Sequence, residues 1–92
     1  MNESSKGPHL ATVAHEGRIW DAHLEFEEDT SRRETYRARL RFSSPEADRL
    51  YRTAVIIIEP SYEEAVRRAR ALDERQLSAL LRSVLPAPDE GE

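Results

Sequence analysis

Apolar and polar residues alternate from Arg18 to Glu27. Trp20, Ala22, Leu24 and Phe26 fall on one face, and Asp21, His23, Glu25 and Glu27 on the other. A period of two predicts a half-buried strand. Glu28-Asp29-Thr30-Ser31 reads as a polar turn. The alternation resumes from Glu34 to Phe42, with Tyr36, Ala38, Leu40 and Phe42 on one face and Thr35, Arg37, Arg39 and Arg41 on the other. The two segments predict an antiparallel hairpin.

Two registers fit this pattern. Pairing Trp20 with Phe42 sets Asp21 against Arg41 and Glu25 against Arg37. A slip of two sets Glu25 against Arg39 and Glu27 against Arg37. Either register lays an acidic row beside a basic row, worth roughly 0.2–1 kcal/mol per pair. The arms cancel in charge. Residues 18–31 carry five acids and Arg18, and residues 32–52 carry seven arginines and three acids.

Upstream, Leu10-Ala11-Thr12-Val13-Ala14 can add a strand, joined through His15-Glu16-Gly17-Arg18, with Gly17 supplying a positive φ. Downstream, Ser44-Pro45-Glu46 has the residues of a helix start. It predicts a short helix over Pro45 to Arg52, with Ala47, Leu50 and Tyr51 as its stripe. The β-branched run Ala54-Val55-Ile56-Ile57-Ile58 predicts a strand apolar on both faces. Ser61 and Glu64 have capping-box spacing ahead of a helix bearing Tyr62, Ala65, Val66, Ala69 and Leu72. Asp73 and Gln76 repeat it ahead of Leu77, Leu80, Leu81, Val84 and Leu85, which Pro86 ends. Whether residues 61–85 form one helix or two stays open.

The predicted order is (β)ββαβαα. This is an α+β fold in two layers: a small, mostly antiparallel sheet of 3–4 strands with helices on one face. Residues 1–8 and the acidic residues 86–92 read as disordered tails, because they bury too little to offset ordering entropy. Residues 9–85 form the single domain.

Composition narrows the function classes. The chain has 92 residues, no cysteine and a formal net charge of -4. Thiolate chemistry is excluded. No apolar run approaches the ~18 residues of a membrane span, and the N-terminus lacks an apolar signal core. The expected location is the cytoplasm. A domain this small leaves little room for a ligand site, which usually occupies about 300–1,000 Å3.

Candidate chemistry is thin. His9, His15 and His23 match no metal-ligand spacing. Glu25 and Glu27 can form a carboxylate pair, but the arginines account for them. The eight serines fall mostly in tails, turns and caps, and no glycine loop suits a phosphate. No catalytic residue, cofactor or metal is expected, and the chain is read as a non-enzyme. Arg67, Arg68 and Arg70 have acidic helix neighbours. The segment Leu40-Arg41-Phe42-Ser43-Ser44-Pro45-Glu46-Ala47, with Tyr51, resembles the strand-to-helix turn of the small dimerising subunit of the KEOPS tRNA-modification complex. The strands that follow in that family are replaced here by helix from Ser61 onward, so no function is transferred.

The unbalanced feature is the third strand. A hairpin with one charged face sits beside a strand with two apolar faces. If Val55 and Ile57 face the helices, Ile56 and Ile58 point outward; in the reverse orientation Val55 and Ile57 do. Burying each is worth roughly 1.5–3 kcal/mol. The expected function is a protein-interaction or assembly module, with a protein partner or a second copy held by Ile56 and Ile58 and rimmed by Arg37, Arg39 and Arg41. The alternative is nucleic-acid binding by the arginine face. The acidic row and the inward aromatics argue against it.

Overall fold

The computed structural model describes residues 6–27, 35–46 and 48–86. Residues 1–5 and 87–92 of the expected tails, the expected turn at 28–31, residues 32–34 and Ala47 lie outside the described residues; residues 6–8, read as tail, are strand instead.

The fold is α+β, an antiparallel sheet followed by two helices. The elements are β1 (Lys6–His15), β2 (Arg18–Phe26), β3 (Tyr36–Ser44), β4 (Arg49–Arg52), β5 (Ile57–Glu59), α1 (Tyr62–Arg70) and α2 (Glu74–Val84). The sheet order is β1-β2-β3-β4, and β5 also pairs with β3. Both helices pack on the inner face, α1 against β5, β1 and β3, and α2 against β1.

The upstream strand is present and longer than its apolar core suggested, beginning at Lys6. It enters β2 through Glu16 and Gly17, with φ of 51° and 79°. Positive φ at both central residues matches the right-handed twist of the strands. As an edge strand, β1 is broken by register shifts on either side of His9. Such irregularities blunt edge-to-edge pairing.

The β2–β3 register is the slipped one. Leu24 pairs with Leu40, Glu25 with Arg39 and Phe26 with Ala38. The alternation holds along both strands: Trp20, Ala22, Leu24, Phe26, Ala38, Leu40 and Phe42 are buried.

The helix expected over Pro45 to Arg52 is absent. The chain turns at Pro45, Glu46 and Asp48, the last at φ 55°, and returns as β4. The turn that resembles a strand-to-helix junction thus leads into another strand. Eight residues form at most two helical turns, too few to hold without strong packing. Pairing with β3 satisfies backbone groups that a helix would leave open. The sheet therefore has five strands, more than the three or four expected.

β4 and β5 lie along the same edge of β3. Their registers differ by two residues: Arg41 pairs with Arg52 and Ala38 with Ile57. An insertion of two preserves the faces. Tyr51, Thr53, Val55 and Ile57 are buried or half-buried, and Leu50, Arg52, Ala54, Ile56 and Ile58 are exposed. The stretch Arg49 to Glu59 is thus one interrupted strand.

The two helices are separate, with a break at Ala71 and Leu72. Ser61 Oγ accepts from the Glu64 N–H at 3.1 Å. At α2 the box is reciprocal. Asp73 Oδ1 accepts from the Gln76 N–H at 2.8 Å, and Gln76 Oε1 accepts from the Asp73 N–H at 2.9 Å. Ala65, Ala69, Leu77 and Leu81 close the core over the sheet. Replacing Asp73 with alanine is expected to lower stability by about 1 kcal/mol, within the usual 0.5–2. A urea midpoint unchanged in Asp73→Ala would show that α2 does not depend on its cap.

Candidate functional site

The helices cover one face of the sheet, and the other carries the charges. On that outer face β2 contributes Asp21, His23, Glu25 and Glu27, and β3 contributes Arg37, Arg39 and Arg41. Cross-strand pairing brings the rows together. Arg37 Nε donates to Glu27 Oε1 at 2.8 Å. Arg39 Nε lies 3.6 Å from Glu25 Oε1, an ion pair beyond hydrogen-bond length. Arg52 Nε from β4 donates to the same Glu25 oxygen at 2.9 Å. The Glu25 side chain is only 13 % exposed, so it holds two guanidiniums from a partly desolvated position. Farther along, Asp21 Oδ1 accepts from Thr12 Oγ1 at 3.2 Å and lies 3.2 Å from His9 Nε2.

Arg41 differs from its neighbours. It pairs with His23 on one side and Arg52 on the other. Its Nε, like that of Arg39, is buried without a hydrogen-bond partner, but Arg41 also makes no ion pair among the described residues. A buried donor left unmet costs roughly 1–3 kcal/mol. A carboxylate brought to this face would add a counter-charge to the Arg41 guanidinium.

The edge strand supplies the apolar part. Ile58 pairs with Arg37 across β3–β5 and is 49 % exposed; Ile56 is 38 % exposed. Ile57 between them is buried. The sequence-expected residues Arg37, Arg39, Arg41 and Ile58 thus share one face, with Ile56 exposed beside them. Arg52 and Leu50 belong to the same edge but did not emerge from the sequence, because both were placed in the expected helix.

The aromatics lie elsewhere. Trp20 approaches Tyr51, and Phe26 contacts both Tyr36 and Tyr62, away from the arginine row, although Tyr62 itself is exposed. Among the described residues no group of three His, Asp or Glu is placed to hold a metal ion. No helix there is long and apolar enough to cross a membrane.

These features define a small sheet-and-helix domain with one packed face and one open, charge-laced face. No family model matches the chain, and no curated protein or solved structure is significantly similar to it.

Proposed function

We propose that the protein is a small, non-enzymatic interaction module of the cytoplasm that docks a protein through the outer face of its sheet. The observation that carries this reading is the pair of exposed isoleucines, Ile56 and Ile58, beside an arginine row. Apolar side chains framed by polar ones are the pattern of a contact surface. Arg41, which has no ion pair among the described residues, supports a partner that brings a carboxylate. A second copy, which would lay its own Ile56 and Ile58 against this pair, is the partner to test first.

Binding of nucleic acid has weaker support. Glu25 and Glu27 already occupy Arg37, Arg39 and Arg52, and the rings that stack on bases elsewhere lie away from the arginine row here.

Light scattering behind size exclusion, at two concentrations and two salt levels, tests the proposal. The expected result is a species near twice 10.6 kDa that reverts to monomer in Ile58→Lys. At a concentration where both chains are monomeric, the unfolding free energy of that variant should stay within about 0.5 kcal/mol of wild type, since lysine can extend into solvent there. Association unchanged in Ile58→Lys would overturn the outer face as the contact. A monomer at every concentration would remove self-association and turn the search to another protein. A mobility shift with DNA or RNA that weakens steeply with salt would favour the alternative.

A further inference from the structure

A different surface, at the turn end of the sheet, gathers charge and apolar walls around a cavity. His15 closes β1 and Arg18 opens β2, and the two are cross-strand partners. Trp20 follows on the inner face. Arg49 and Tyr51 come from β4, and Leu85 from the end of α2. These residues line a cavity of about 310 Å3. That volume sits at the lower end of ligand sites, about 300–1,000 Å3.

The lining is electropositive in an acidic chain. Arg18 and Arg49 face a single lining carboxylate, Glu16, while the whole chain carries -4. Glu16 is drawn weakly toward His15, with Oε2 3.9 Å from Nε2. Arg49 Nη1 reaches the Tyr51 hydroxyl at 3.5 Å, a long contact that leaves most of its fork open. Arg18 makes no side-chain ion pair or hydrogen bond among the described residues. A second recess, of about 270 Å3 and with Asp48 in its lining, adjoins through Arg49. Ser44 lines it, pairs with Arg49 across β3–β4, is 1 % exposed, and has a hydroxyl without a hydrogen-bond partner among the described residues.

We infer that this cavity is a binding site for a small organic oxyanion, a carboxylate or phosphate on a compact apolar body. The guanidinium forks of Arg18 and Arg49 match either head group in planar, charge-assisted geometry. The walls from Trp20 and Leu85 suit the apolar body. This site is independent of the outer face, so its failure would leave the interaction reading untouched.

Trp20 is the only tryptophan in the chain, so its fluorescence reports on the cavity. The test is titration with benzoate, phenyl phosphate and inorganic phosphate, followed by fluorescence and by calorimetry. It is run on the wild-type chain and on one in which Asp89, Glu90 and Glu92, which follow Pro86 in sequence, are made neutral amides. The expected result is saturable binding of benzoate or phenyl phosphate, weakened at least about tenfold in Arg18→Gln and in Arg49→Gln. Far-ultraviolet circular dichroism checks that both variants fold. The stronger of the two aromatic probes identifies the head group. Equal affinity for inorganic phosphate would overturn the apolar body. No saturable binding by either chain, or undiminished binding by both arginine variants, would overturn the site.

Discussion

Replacing Phe42 with alanine is expected to cost about 3–5 kcal/mol, the range for an aromatic lost from a packed core. Phe42 is fully buried in the middle of β3, with Ala22 beside it on β2 and Tyr51 on β4. Ala22 has no side chain that can swing into the space, so the cavity stays. A core of this size leaves a net stability of only a few kcal/mol. Phe42→Ala should therefore be largely unfolded at room temperature by circular dichroism. Phe42→Leu keeps much of the volume and should lose less than about 1.5 kcal/mol. A folded Phe42→Ala with a urea midpoint close to wild type would mean that the sheet and helices do not close over this residue. The contrast with Ile58→Lys matters for function. Phe42 and Ile58 are both large and apolar, but only the first should carry the fold.

How much of this was legible in the sequence depends on what each segment had to satisfy. β2 and β3 each bury one face, so their alternation was explicit and the buried set was read correctly. Their register was not settled, because a slip of two keeps every side chain on its face and pairs acids with arginines either way. The slipped register lets Arg52 join Arg39 at Glu25, a contact that requires knowing β4 exists. The Ser44-Pro45-Glu46 signature was a true local preference overruled by the open edge of β3. The run Ala54 to Ile58 hid its own alternation, since apolar residues stand on both faces. The exposed isoleucines were visible in outline for the same reason: a doubly apolar strand beside a charged face leaves something uncovered. The cavity at Arg18 and Arg49 was invisible. Its walls come from the β1–β2 turn, β4 and the end of α2, which no sequence spacing connects.

The interruption between β4 and β5 leads to the other large effect. Two residues of β3 face four residues of the edge strand there, and the ladder would break if nothing filled the gap. Thr53 fills it. Its N–H donates to the Leu40 carbonyl at 3.0 Å, and its Oγ1 accepts from the Leu40 N–H at 3.1 Å. The hydroxyl proton goes to the Ala54 carbonyl at 2.7 Å. The Ile56 N–H then donates to the Ala38 carbonyl at 3.0 Å and pairing resumes. Thr53→Val keeps the shape and removes the acceptor, leaving the Leu40 N–H buried and unmet. The expected loss is about 1–3 kcal/mol. Thr53→Ser keeps the hydroxyl and gives up one methyl group, near 0.8 kcal/mol. Serine should therefore be the milder change, although valine matches the side-chain shape. Faster hydrogen exchange at the Leu40 amide in Thr53→Val would locate the lost bond. Equal stability of Thr53→Val and wild type would mean that the hydroxyl does not bridge the ladder. The same bridge anchors the stretch that presents Ile56 and Ile58. Under the interaction reading, Thr53→Val should also weaken association, in proportion to how far that stretch loosens and without any change in the contact residues themselves.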